Sequence, residues 1–482
     1  MACSAACTVI SRGYAARSTR RNRPARSERS RRREMLYYEA QPKALPEGID
    51  PGDFIIATYY AALPRDMIMY YLAPFLAVEQ STGTWTAVPG ETPEVRAQHV
   101  AKVIAIHEVP FFEFEVPKGV EERTYVVQVA FPFRNIEHQI PMLLTAVVGN
   151  ISMGGKIKLL DLQFPKQYTD GFGGPKFGID GIYEALGIKE RRPILNNMIK
   201  PCTGYSCEIG EKLFYEAALG GCDVIKDDEL IADMKFNRCE DRVKAYMAME
   251  KRVYEETGEH TLYTVNISDN LPKMFETAKR VVDAGANAIM VNYLAVGIPA
   301  LQTLAEDPDI NVPILAHMDC AGALYESPIS GIASHLVLAK LPRLAGADSV
   351  VFPAPYGKAP YLKDRFVFTA DVMHYPMHDI RPMMPMPSGG ITPDMVPACV
   401  ADIGKEIMIG SGGGIHAHPM GPAAGARAFR QAIEATMCGI PIHEYAQEHK
   451  ELGVSLGLWE GTFTETTAAC GLDDTIESLS EH

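Results

Sequence analysis

Three things are scarce in this 482-residue chain: long apolar runs, paired cysteines and, past the first few dozen residues, an excess of positive charge. No stretch of eighteen or more apolar residues occurs, so no membrane-spanning helix is indicated and no membrane partner is expected. The ten cysteines stand singly without a CxxC pair, which argues against structural zinc and for a reducing compartment. A net charge of −14 speaks against nucleic acid, because a phosphate backbone is bound by clustered cations. Small molecules are the expected partners. What is present, 47% hydrophobic and 22% charged residues, suffices for a large core, and the length suggests two or more domains.

The basic exception is residues 1–34, where ten arginines between Arg12 and Arg33 face only Glu28 and Glu34. That composition fits an organellar transit peptide, in a plastid or mitochondrion. It fits equally a mis-called start, with Met35 as the true first residue of a cytoplasmic protein. In both readings the segment is a disordered extension and stands outside the fold.

From 35 to 169 the text reads as strands with helical stretches between them, for example FIIATYYAAL, TYVVQVAFPF and KIKLLDLQFP, the pattern of a small α+β domain. After the Gly-rich link DGFGGPKFGIDG the pattern changes, and residues 170–482 repeat short apolar strand, loop and amphipathic helix. Eight strands can be named: RPILNNMIKP, CDVIKDDE, LYTVNIS, AIMVNYL, PILAHMD, DSVVFPAP, MPMPSGG and EIMIGSGGG. Stretches such as EIGEKLFYEAALG, LPKMFETAKRVVDAG and ALQTLAEDP supply helices between them. The expected fold is α/β, a C-terminal (β/α)8 TIM barrel with covering helices preceded by the smaller α+β domain.

A barrel builds its site at the C-terminal ends of its strands, so the strand ends can be read for chemistry. The run GGCDVIKDDE delivers Lys226 to a strand end and lets Asp228 and Glu229 converge with it. Alone this is as well explained by a solvated salt bridge. A hard divalent cation such as Mg2+ wants about six oxygens, some of them from carboxylates. A bare ammonium is no ligand, so Lys226 fits such a site only if CO2 converts it to a carbamate. Other strand ends carry Lys200, Asn266, His317 with Asp319, and Lys358. Ser388, Gly389 and Gly390, and then Gly412, Gly413 and Gly414 ahead of a helix near Gly421, offer backbone N–H groups of the kind that hold phosphate. Each feature singly has a plain structural explanation. Together they suit abstraction of a proton next to a metal-polarised ketone, with a lysine or the carbamate moving the proton; a neutral lysine base requires a lowered pKa, which a neighbouring metal and other cations would give.

These residues resemble the RuBisCO large-chain family from about Gly52 to the C-terminal helices. The resemblance implies a carbamylated Lys226 that holds Mg2+ with Asp228 and Glu229, Lys200 as the enolisation lysine, His317 as the strand-five histidine and Lys358 as the loop-six lysine. In EQSTGTWT, Glu79, Thr84 and Trp85 look like the segment that reaches across a dimer interface, and Asn150 in VVGN matches an active-site asparagine. Thr84, Trp85, Gly390, Gly413 and Gly414 would hold one phosphate, and a homodimer with the site at the subunit interface is implied.

Departures from the carboxylating members narrow the expected substrate. Their second lysine is here Cys202, the arginine after the strand-five histidine is Met318, and a phosphate-binding histidine is replaced by Ser334 or a shifted His335. A buried phosphate dianion without those cations is unfavourable by several kcal/mol, on the order given for unpaired buried charge. A small phosphorylated sugar with one phosphate is therefore expected in place of a bisphosphate, and carboxylation of ribulose bisphosphate is not expected. The pattern is similar to a RuBisCO-like protein (form IV) of the methionine-salvage type. Isomerisation of 5-methylthioribulose 1-phosphate is the expected reaction. The alternatives are enolisation of 2,3-diketo-5-methylthiopentyl 1-phosphate, decarboxylation of a phosphorylated 3-oxo sugar acid, and an idle scaffold that keeps only the fold.

Overall fold

The computed structural model describes residues 28–84 and 86–462; the greater part of the Arg-rich segment, 1–27, and Trp85 lie outside the described residues. A helix over Glu28–Glu39 takes in the last seven residues of that segment, so the boundary at residue 34 falls inside a helix. Among the described residues no helix is long and apolar enough to cross a membrane.

The N-terminal half holds β1 (Phe54–Pro64), β2 (Lys102–Glu108), β3 (Glu122–Pro132) and β4 (Ile157–Gln163). β1 alternates buried and half-buried residues along most of its length, the pattern of a sheet with one face on a core. β1 pairs antiparallel with both β3 and β4, and β2 with β3. Eight parallel strands follow: β5 (Ile194–Met198), β6 (Val224–Lys226), β7 (Leu262–Asn266), β8 (Ala288–Val291), β9 (Ile314–Ala316), then, after the short β10 (Gly331–Ile332), β11 (Ser349–Pro353), β12 (Met384–Ser388) and β13 (Met408–Ser411). They correspond one for one to the eight strands named from sequence. The three helices quoted above are found at Cys207–Leu219, Leu271–Asp283 and Ile298–Glu306. The middle one buries Met274, Thr277, Ala278 and Val281, one stripe at helical spacing.

The ladder runs β12-β11-β9-β8-β7-β6-β5-β13 without a β12–β13 pairing. The reason is in MPMPS. Met384 donates its N–H toward β11, to Asp348 O, so the alternate residues, Pro385 and Pro387, would have to donate toward β13 and have no N–H. The last seam closes by packing instead: a Cβ on Gly410 of β13 would lie 2.7 Å from Met386 Cε.

β10 does not join the barrel. It adds parallel to β4 at the edge of the N-terminal sheet, tying the halves together. Lys158 of β4 donates to Tyr325 O at 2.7 Å, and Asp161 accepts from Lys340 Nζ at 3.1 Å with His335 Nε2 3.5 Å away. Burial opposes ionisation of Asp161, yet His335 and Lys340 outweigh it and hold the carboxyl at about 2, below its ordinary 3.8. A lowered folded-state pKa adds stability above pH 4 that disappears as pH falls toward 2. The melting temperature of wild type should therefore drop more steeply between pH 4 and pH 2 than that of Asp161→Asn; parallel curves would show that the cluster does not stabilise the seam.

Candidate active site

The strand ends deliver the expected side chains to one place. Lys226 is the last residue of β6, Asn266 of β7 and Ser388 of β12, while His317 follows β9 directly and Lys200 lies two residues past β5. Lys226 is fully buried; its Nζ donates to Asp227 O at 2.7 Å and lies 3.3 Å from Glu229 Oε2. Asp228, also buried, is hydrogen-bonded by Lys200 Nζ. The backbone carbonyl of Glu229 is clamped by the amides of Asn266 and Asn292 at 3.2 and 3.1 Å.

His317 sits between two acids. Its Nδ1 is 3.0 Å from Asp319 Oδ2 and its Nε2 3.3 Å from Glu229 Oε2. Ligand atoms of Glu229, His317 and Asp319 lie within 4.8 Å of one another. Burial resists ionisation of Glu229, but Lys226 and then His317 prevail and bring its carboxyl to about 2. An oxygen-rich set formed by Asp228, Glu229 and a buried amine fits a hard divalent cation once the amine bears a carboxylate.

The Lys200 amine is pulled in two directions. Burial pushes it down, but Asp228 more than compensates and raises it above the ordinary lysine value. Its Nζ also lies 3.2 Å from Cys202 Sγ. Close packing fixes its stem, since a Cβ on Gly412 would come within 2.8 Å of Lys200 Cε. Gly413 and Gly414 open the short helix Gly413–His416 beside it, and the long helix Pro422–Cys438 follows. Gly389 and Gly390 follow β12, and the Gly389 carbonyl accepts from Lys358 N at 2.8 Å. The Lys358 residue is exposed.

Glu79, Thr84 and Asn150 are not brought to this mouth within one chain. They line a separate, mostly apolar cavity of about 530 Å³ in the N-terminal domain, bordered by Met67, Met69 and Phe75. The expectation for Trp85 lies outside the described residues. Of the two replacements for a phosphate-binding histidine, His335 is turned into the domain seam toward Asp161, and Ser334 Oγ accepts from Tyr361 OH at 2.8 Å. Met318 packs, half-buried, against the inner barrel core.

Sequence reading passed over Asp227. On a period-two strand it faces the opposite way from Lys226 and Asp228, and it is fully buried with Arg242, Nη2 to Oδ2 at 2.8 Å. Tyr263 OH donates to it at 2.7 Å and Asn266 N at 2.9 Å. The first acid of KDDE thus locks β6 to β7 and to the helix Cys239–Thr257, and the parity of the run was the available signal.

The comparisons agree with this geometry. Residues 178–459 match the family of the ribulose bisphosphate carboxylase large chain, catalytic domain, and residues 48–168 match its N-terminal domain. A ribulose bisphosphate carboxylase-like protein of Archaeoglobus fulgidus is 56% identical over 87% of this chain and 96% of its own length. A 2,3-diketo-5-methylthiopentyl-1-phosphate enolase of Geobacillus kaustophilus is 37% identical over 80% and 93%. The crystal structure of a rubisco-like protein (MtnW) from Alicyclobacillus acidocaldarius superposes with a TM-score of 0.78 at 36% identity, covering 84% of this chain and all of that one. With both halves matched and the strand-end cluster in place, the chain belongs to the RuBisCO large-chain family. Within that family it falls on the RuBisCO-like branch.

Removing Arg242 would leave Asp227 buried without its cation, a change that typically destabilises by about 3–5 kcal/mol. Equilibrium urea unfolding of Arg242→Leu should show a loss of that size, and a loss below about 1 kcal/mol would contradict the anchoring role assigned to the pair.

Proposed function

We propose that this chain is a Mg2+-dependent enolase of methionine salvage that acts on 2,3-diketo-5-methylthiopentyl 1-phosphate. One observation carries the proposal: the strand-end lysines, acids and histidine converge, while the residues at the family's second-phosphate positions are engaged within the fold. Lys200, Lys226, Asp228, Glu229 and His317 converge at the barrel mouth, whereas Met318 packs on the core, His335 turns to Asp161 and Ser334 is engaged by Tyr361. The activity in the name of the Geobacillus relative favours the diketone over the ketose isomerisation expected from sequence.

With its neutral amine converted by CO2, with loss of a proton, to a carbamate, Lys226 would hold Mg2+ together with Asp228 and Glu229. The bound Mg2+ supplies Lewis-acid polarisation of the substrate ketone. Lys200 can accept a proton only when Asp228 is engaged elsewhere; burial then acts on its amine alone and lowers its pKa. It takes the proton from the carbon next to the ketone, and a proton returned to the ketone oxygen makes the product an isomer of the substrate. Asp319 holds the His317 ring, and Lys358 closes over the reacting carbons. Ser388, Gly389, Gly390, Gly413 and Gly414 bind the phosphate.

Glu79, Thr84, Trp85 and Asn150 complete the site from a second copy of the chain. Met67, Ile68, Tyr70, Tyr71 and Phe75 form an exposed apolar face around their cavity, which supports a homodimer. The relatives described above are archaeal and bacterial, and they lend no support to an organellar address.

The purified chain, given each pure substrate with Mg2+ and bicarbonate in D2O, should consume the diketone and exchange deuterium next to its ketone by NMR. Turnover of 5-methylthioribulose 1-phosphate in its place would restore the isomerase, and inertness toward both would sink the methylthio substrate class. Lys226→Ala should lose Mg2+ binding by calorimetry together with activity, whereas Lys358→Ala should bind Mg2+ as wild type does and turn over more slowly. Equal loss of Mg2+ binding in both variants would refute this division of roles.

A further inference from the structure

Loop six, the segment between β11 and the helix Lys363–His374, carries Lys358 and is held at both ends by one carboxylate. Asp402 sits on the neighbouring helix Val396–Ile403 and is mostly shielded from solvent, with 15% of its side chain exposed. On the strand side of Lys358, Tyr356 OH donates to Asp402 Oδ2. On the helix side, Lys363 Nζ lies 2.9 Å from Asp402 Oδ1. The two oxygens of a single group thus bracket the loop lysine.

Two more contacts set the height of the loop over the barrel. The Tyr356 ring packs edge-on against Phe366, which stacks on Phe352 of β11, so the root of the loop rests on the barrel core. Lys358 N donates to Gly389 O at 2.8 Å, an approach that only glycine at 357 permits, because a Cβ there would lie 1.9 Å from the same oxygen. The backbone of Lys358 is therefore fixed against the glycines that follow β12, while its side chain is free to project from the loop.

We propose that Asp402 is a positioning residue: by holding Tyr356 and Lys363 together it fixes loop six at the height from which Lys358 meets the substrate. Asp402 does not itself reach the reacting atoms. Its effect on turnover passes through Lys358, and in that respect the inference rests on the role proposed for Lys358 above. Reacting groups misplaced by about an ångström can cost on the order of a hundredfold in rate, so a tether of this kind has a measurable kinetic signature.

The test has one arm that needs no substrate and one that does. In the unliganded full chain, Asp402→Ala should speed amide hydrogen exchange across residues 355–362 by about tenfold while leaving exchange in β5 to β9 unchanged. Tyr356→Phe should give a smaller rise, and Asp402→Asn, whose amide oxygen still accepts one of the two bonds, should fall between. With the diketone as substrate, Asp402→Ala should lower kcat by about ten- to a hundredfold with a lesser change in KM. In a Lys358→Ala background the same substitution should change kcat by less than about twofold, the non-additivity expected when one residue acts through the other. Unchanged exchange in both Asp402→Ala and Tyr356→Phe would overturn the tether. A full additive loss in the Lys358→Ala background would overturn the positioning role even if the loop had loosened. Should wild type turn over neither substrate, the function proposed above falls, and the exchange arm still decides the tether.

Discussion

An amine with no access to solvent must be neutralised or paired, and the end of β6 is organised around that constraint. Lys226 is fully buried, and its nearest polar partners are a backbone carbonyl and the carboxylate of Glu229. Its sequence neighbour Asp227 is equally buried on the other side of the strand, where Arg242, Tyr263 and the Asn266 amide satisfy it. Two adjacent buried charges facing opposite ways are costly unless each is fully answered. The outward one is answered by the fold. The inward one is answered in part, by a carbonyl and Glu229, and the carbamate proposed above would reverse its sign and let it share a cation with Asp228 and Glu229.

The same arrangement explains why the remaining site groups have little freedom. Asn266 and Asn292 clamp the main chain at Glu229, Gly412 leaves no room beside Lys200, and His317 is held between Glu229 and Asp319. Strand ends are rigid, and hydrogen bonds to backbone hold better than loops do. The glycines proposed to bind phosphate and the backbone of Lys358 are mechanically joined, because the Gly389 carbonyl takes the Lys358 amide. Substrate choice is written outside this rigid ring. His335, one of the two candidates for the family's phosphate-binding histidine, lies in the seam between the two halves with Asp161 and Lys340.

Much of this was legible in the chain. Short apolar runs alternating with amphipathic helical stretches give all eight barrel strands, and strand-end position alone collects Lys200, Lys226, Asp228, Glu229 and His317. Less was legible where a property depends on a distant partner. The raised pKa of Lys200 follows from Asp228, twenty-eight residues away, a contact that sequence spacing does not reveal. Asp227 drew no notice in the sequence, because its role depends on Arg242 and Tyr263, distant in the chain. The open seam at β12 is different, for its two prolines were in view and their alternate spacing foretells a missing ladder. The helix that starts at Glu28 runs through a segment whose composition alone set it apart.

The central claim is that Lys226 works as a carbamate. Incubating the full chain with 13C-labelled bicarbonate and Mg2+ and recording the 13C spectrum tests it directly. One protein-bound carbamate resonance per chain, strengthened by Mg2+ and absent from Lys226→Ala, is the predicted result. A chain that shows Mg2+-dependent turnover with no such resonance, or with one that survives Lys226→Ala, would contradict the account.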